Sequence, residues 1–249
     1  MGSVRAELLK LKRSSSWAVV VALPLAAVAS GAGNTVLAGE PLTDGWHTLW
    51  MRVVVVYGLF PLATGVAVLG SLVWRADHRG GNRNALMGRP VSALEAVVGK
   101  LAAVAVLAAA MQAVLTAGVV AAGKAVFGLP GPLPGQYLLI SVLIVVVCLP
   151  VAALQSGLSM LMESFAAPVA VGLAGSVGGL LLVLLRFDAV SLAVPYGLTA
   201  RATQVGTGAF MDAGTVTVGT LASMAVWALV STVLVTVATA ALLDRRDAG

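Results

Sequence analysis

The sequence predicts an all-α membrane protein that crosses the bilayer six times. Three observations carry this. Hydrophobic residues make up 59% of the 249-residue chain and charged residues only 10%. The apolar residues gather into runs of about 18 or more, the length that spans hydrocarbon as helix, and the basic residues sit at the ends of those runs. With a mean hydropathy of +1.01 the chain reads as one transmembrane domain rather than a set of soluble ones. The net charge of +5 is spread over span ends, which excludes the contiguous basic face of a nucleic-acid binder. The single cysteine, Cys148, excludes an internal disulfide and a cysteine metal cluster.

Residues 2–16 place Val4, Leu8 and Leu11 on one helical face and Arg5, Lys10, Lys12 and Arg13 on the other, with Leu9 as the exception. This pattern predicts a short helix lying in the membrane interface. The first span is 17–38. Its basic start and Ala27-Val28-Ala29 before Ser30 also resemble a secretory signal. The apolar run continues to Ala38, however, giving roughly 33 Å of helix, enough to span. A loop with Glu40, Asp44 and His47 leads to the second span, 49–74, which has Trp50 and Trp74 near its interfaces.

Residues 75–100, RADHRGGNRNALMGRPVSALEAVVGK, are the long polar stretch of the first half. Arg75, Arg79, Arg83, Arg89 and Lys100 outnumber Asp77 and Glu95, the excess expected of a cytoplasmic loop. Ser92 and Glu95 form an S-x-x-E capping box that starts the next membrane helix, and Pro90 ends any helix before it. Residues 82–89 can form one or two helical turns that present Leu86 and Met87 between Arg83 and Arg89. Such an apolar knob with a basic rim suits a groove on a protein partner or the headgroups of anionic lipid, and both readings stay open.

The third span is 101–127. Residues 128–136, with Pro130, Pro132 and Pro134, predict a stiff outer turn. The fourth span, 137–162, is expected to be kinked by Pro150. A short inner turn at Glu163, Ser164 and Phe165 leads to the fifth, 166–185. Residues 186–218 mix Asp188, Pro195, Tyr196, Arg201 and Asp212 with apolar patches too short to span, and predict an extracellular re-entrant or interfacial segment. The sixth span is 219–243. In this layout the inner side holds eleven of the 15 Lys and Arg residues, so both termini are expected to be cytoplasmic. Alanine, valine, glycine and arginine outnumber isoleucine, asparagine and lysine, the composition of a GC-rich bacterial genome, and the expected location is a bacterial plasma membrane.

The spans lack Asp, Glu, Lys, Arg and His at their centres, which disfavours an ion-coupled carrier or proton pump. The chain has no G-x-x-x-x-G-K-[ST], and His47 and His78 lie on opposite sides, so neither a nucleotide site nor a catalytic or metal-binding set is expected. Energy for transport would come from a partner.

Gln112 and Thr116 on the third span, and Gln155 and Ser159 on the fourth, are each four residues apart and so share a helix face. They can line a pathway for an amphiphilic substrate or bond between helices as packing contacts. Gly175 and Gly179 form G-x-x-x-G, the signature of close helix contact within a subunit or across a dimer. Glu163 can bond a partner or stay solvated.

Three places resemble the membrane subunits of type-2 ABC exporters, and within them the permeases of lantibiotic-immunity and related antibiotic-resistance systems. The start with Glu7, Leu8, Lys10 and Arg13 looks like that family's elbow helix. The stretch from Asp77 through Pro90, Val91 and Ser92 to Lys100 is similar to its first inner loop, although this chain has Asp77, Gly80-Gly81-Asn82 and Leu86-Met87 where many relatives carry glutamate, glycine-threonine and a leucine pair. Residues 149–179 look like its fourth and fifth spans.

The resemblance implies a dimer, of two identical chains or of this chain with a sister permease, above two separate ATP-binding subunits that carry ATP and Mg. Residues 82–89 would be a coupling helix seated on the ATPase, with Arg83, Leu86, Met87, Arg89 and Pro90 making the contact and Ser92 and Glu95 holding the helix start. Glu163 and Phe165 would form a second contact. No cofactor is expected in this chain. The rival readings are a membrane anchor or signalling subunit that recruits a soluble partner, and a passive channel.

Overall fold

The computed structural model describes residues 7, 14–39, 41–78, 92–162, 164–209, 212 and 214–247. Among them every regular element is helical. The order is α1 (Ser16–Ala38), α2 (Gly45–Leu59), α3 (Pro61–His78), α4 (Ala93–Ala125), α5 (Gly135–Leu161), α6 (Ala166–Leu184), α7 (Asp188–Ala193), α8 (Pro195–Gln204) and α9 (Val218–Asp247). Five helices, α1, α4, α5, α6 and α9, are each long and apolar enough to cross a membrane. The pair α2 and α3 makes a sixth span if taken together.

That pair corrects the single helix expected over 49–74. The helices meet at Phe60 with a bend of 47°, and Phe60 itself has left helical geometry at φ −141°. Proline lacks the amide that would continue the ladder and its ring crowds the turn before it, but it is well placed at the first position of a new helix, where Pro61 stands.

The chain runs up and down, so α1, α4 and α6 begin, and α3 and α5 end, at what we call the near end. The start of α4 is fixed by Ser92, whose hydroxyl accepts the amide of Glu95 at 3.2 Å. At 33 residues, α4 is roughly 50 Å long, more than hydrocarbon alone requires. At its far end Lys124 Nζ donates to the carbonyls of Leu129 (2.9 Å) and Gly131 (2.6 Å), and Trp46 Nε1 donates to the carbonyl of Pro130 at 2.9 Å. Those bonds hold the proline-rich turn down on α2 and α4. A Cβ on Gly123 would lie 2.3 Å from the Trp46 ring, so the close approach of α4 and α2 requires glycine there.

Helix α5 is the centre of the bundle and packs on α3, α4, α8 and α9. It is 61% buried across its apolar window, against 28% for α6 and 22% for α9, which leaves the last two with long exposed apolar sides. Leu107, Met111 and Leu115 of α4 and Ile140 and Ile144 of α5 are fully buried and form the middle of the core. Lipid tails are as apolar as these side chains, so close packing rather than a hydrophobic drive holds the helices together. Pro150 sits within an unbroken α5.

Residues 186–218 carry α7 and α8. Tyr196 to Ala200 and Ala202 to Gln204 are buried, and α8 packs against α2, α5, α6 and α9. Arg201 bonds the Asp188 carboxylate and lies 3.3 Å from Ser191 Oγ, which ties α8 back to α7. The return to α9 is closed by Asp212, whose carboxylate accepts the amides of Gly208 and Gly214, both at 3.0 Å.

Candidate functional site

At the near end the last turn of α3 and the first turns of α4 are fastened to each other and to α5. Lys100 is 2% exposed. Its Nζ stands 4.5 Å from the centre of the Trp74 ring and 3.6 Å from the carboxylate of Glu7. A buried ammonium is costly without such company, and a carboxylate plus the negative face of an indole supply it. Trp74 Nε1 in turn donates to Ser156 Oγ of α5 at 2.6 Å. One turn earlier on α3, Ser71 Oγ lies 3.2 Å from Ser159 Oγ of α5. The Arg75 guanidinium stands 5.4 Å over the Phe165 ring just before α6. The last turn of α3 is thus tied directly to α5, and the first turns of α4 are tied to it through Trp74.

Next to Ser156 of the joint, Gln155 is completely buried and its amide nitrogen donates to the Tyr196 hydroxyl of α8. Glycines make room for it. A Cβ on Gly172 would lie 2.9 Å from Gln155 Nε2, and one on Gly70 would lie 3.2 Å from Gln155 Cβ. Farther along α6, a Cβ on Gly175 would meet the Tyr196 ring at 2.4 Å, and one on Gly179 would meet the Tyr196 backbone at 2.5 Å. The glycines of α6 thus form a track that receives Gln155 and the first turn of α8, and the G-x-x-x-G pair packs within the chain. Thr199 Oγ1 adds a bond to the Val147 carbonyl of α5 at 3.2 Å. Ser71, Ser159, Gln155 and Tyr196 thus bond through hydroxyls and an amide, with no charged group among them.

Gln112 and Thr116 lie elsewhere. Gln112 Nε2 donates to Ser141 Oγ of α5 at 3.1 Å, and Thr116 Oγ1 donates to the Gln112 carbonyl at 2.9 Å and lies 3.1 Å from Ser141 Oγ. Both residues line an open groove of about 660 Å³ between α4 and α5. Gln155 and Ser159 are no part of that groove. The four polar residues do not converge on one pathway in this structure.

Of the residues expected to contact a partner, Arg83, Leu86, Met87, Arg89, Pro90 and Glu163 lie outside the described residues, as does nearly all of the predicted elbow helix. Ser92, Glu95 and Phe165 are at the near end, as described above. Sequence reasoning missed Trp74, Lys100, Ser156 and Tyr196 as members of the joint and its extension. A lysine seven residues inside a helix start and a tyrosine next to Pro195 were the available signals. Neither names its partner.

Five long apolar helices and a bent pair that can make a sixth span define a polytopic membrane protein. The chain matches the model of the ABC-2 family transporter protein over residues 3–179, from the N-terminal segment to the last glycine of the α6 track, and it belongs to that family. It is therefore a transmembrane subunit of an ABC transporter, a class of membrane component that is generally non-catalytic and works with ATP-binding subunits. No curated protein and no solved structure matches the chain.

Proposed function

We propose that this chain is the permease of an ABC exporter that moves a hydrophobic or amphiphilic substrate, of the antimicrobial-peptide or antibiotic class, out of the membrane or cytoplasm. The near end faces the cytoplasm together with both termini. Two such subunits, identical or sisters, stand above two ATP-binding subunits that hold ATP and Mg. Residues 82–89 seat Leu86 and Met87 on the ATPase, with Arg83, Arg89 and Pro90 around them, while Glu163 and Phe165 make a smaller contact.

The observation that supports this best is the joint of Glu7, Lys100, Trp74 and Ser156. A segment that only dipped into headgroups would need no such fastening. A segment that transmits force from a closing ATPase needs both ends fixed to the element it moves, and here that element is α5, which carries Gln155 and through it α8. The glycine track is then the surface on which α8 shifts when the ATPases close, a displacement of packed helices that biases two membrane states.

The test is to purify the tagged full chain from its native host in mild detergent, identify co-purifying subunits by mass spectrometry, and measure ATP hydrolysis. A stoichiometric subunit carrying a nucleotide-binding motif is expected. Leu86→Asp with Met87→Asp should leave insertion intact and abolish co-purification or transport-coupled hydrolysis. Recovery of the chain alone, even after crosslinking, would favour the anchor or channel instead.

A further inference from the structure

The two halves of the bent pair are fastened to different ends of the molecule. Helix α2 belongs to the far end. Trp46 Nε1 donates to the Pro130 carbonyl at 2.9 Å, the Trp50 and Tyr137 rings stack at 5.2 Å, and Arg52 donates to Thr35 Oγ1 in the last turn of α1 at 2.9 Å. Helix α3 belongs to the near end, where Ser71 and Trp74 bond the last turns of α5 and Arg75 covers the Phe165 ring before α6. Between them Phe60 is 44% exposed and out of helical geometry, and Pro61 has no amide to offer the Tyr57 carbonyl.

Two more prolines interrupt helical ladders at nearly the same level. Pro24 lies inside α1 and Pro150 inside α5, so the carbonyls of Val20 and Val146 lack their helical donors. Contacts at glycines place both prolines along the bundle. A Cβ on Gly65 would lie 2.9 Å from Leu23, and one on Gly70 would lie 3.2 Å from Gln155 Cβ. Pro61 is four residues from Gly65 and nine from Gly70, Pro24 one from Leu23 and Pro150 five from Gln155, so both stand within about 6 Å of Pro61 along the bundle axis. Helix α4 crosses that level with neither proline nor break. It is tied to α3 at its start, through Lys100 and Trp74, and to α2 at its end, where Gly123 meets Trp46.

We propose that Phe60 and Pro61 form a hinge at which the near end turns against the far end, with α4 as the axle. Each half of the bent pair is pinned to one end of that straight helix, so rotation about α4 changes the bend at Phe60 and leaves both pins in place. Helices α1 and α5 run through both ends of the bundle, and each can follow because its ladder already lacks a rung at that level. A change of about 10° in the bend carries the start of α2, 15 residues and about 22 Å away, through about 4 Å. The hinge itself does not rest on the permease reading, whereas its use in transport does.

The test is pulsed dipolar EPR on nitroxide pairs in the full chain, in lipid nanodiscs and in a Cys148→Ala background. Labelled chain is diluted with unlabelled chain so that only distances within one copy are read. One pair, Thr43→Cys with Leu161→Cys, crosses the hinge. Two controls do not: Leu94→Cys with Leu161→Cys at the near end, and Thr43→Cys with Val126→Cys at the far end. All four positions are exposed. The crossing pair should show a distance distribution wider than both controls by about 4 Å, the displacement that a bend change of about 10° produces. Pro61→Ala, which lets the helix continue through the break, should narrow it to the width of the controls. If that variant fails to insert, Pro150→Ala, which restores the missing rung of α5, should narrow it in part.

A crossing distribution as narrow as the controls in the wild-type chain would overturn the proposal. So would a width that survives Pro61→Ala in the inserted protein, or Pro150→Ala where that variant has to decide. A rigid chain could still be a permease, and a chain without an ATP-binding partner could still bend here, so the two readings fail separately.

Discussion

The two polar pairs on α4 and α5 have the same spacing and opposite surroundings. Gln155 and Ser159 face inward, where Ser71, Tyr196 and the glycines of α3 and α6 close over them. Gln112 and Thr116 face the seam between α4 and α5, where Ser141 is their side-chain partner and the far side is open. A four-residue spacing says that two side chains share a face. It does not say what the face meets. In a membrane the difference matters more than in water, because an unmet polar group there has no solvent to fall back on.

The comparison breaks most visibly at the glycine track. Gly175→Leu would drive a branched side chain into the Tyr196 ring, and overpacking of this kind costs about 3 kcal/mol. Thermal unfolding of the detergent-purified chain should show a large loss. A variant as stable as wild type would mean that α8 does not sit on α6 as described.

Gln155→Leu should cost about 1 kcal/mol, because it orphans the Tyr196 hydroxyl within the bundle. The same unfolding assay measures it, and Tyr196→Phe in the Gln155→Leu background should recover part of the loss. Gln112→Leu is the smallest effect expected, within about 0.5 kcal/mol of wild type, because Ser141, its partner, keeps its bonds to the Tyr137 carbonyl and to Thr116 when the amide is lost. A Gln112→Leu loss equal to that of Gln155→Leu would erase the distinction between the two pairs.

Much of the layout was legible in the sequence. The runs behind α1, α4, α5, α6 and α9 are long and apolar, and their helical state follows from the need to bond every backbone amide internally. Ser92 and Glu95 marked the start of α4 because a cap is a local contact between near neighbours. Pro61 was equally visible and should have divided the second span, since a proline's effect on the preceding turn is also local.

The contacts of Gly175, Gly179, Lys100 and Trp74 were not legible in the same way. Each depends on a residue far along the chain: Tyr196 for the glycines, Glu7 for Lys100 and Ser156 for Trp74. A hydrophobic run specifies that a helix forms and crosses, and it is nearly silent on rotation about the helix axis, because every side of the helix tolerates lipid.

The sequence by itself therefore determined the helical class, the candidate spans and the cap of α4, all of which follow from backbone bonding and short-range sterics. Only the tertiary structure decided that one glutamine is locked under α8 while the other lines a groove, and that the G-x-x-x-G of α6 receives a tyrosine of its own chain. Those outcomes depend on how helices rotate and approach one another. Steric fit at glycines and the pairing of a few buried polar atoms set that rotation, and both bring together residues that the linear order keeps apart.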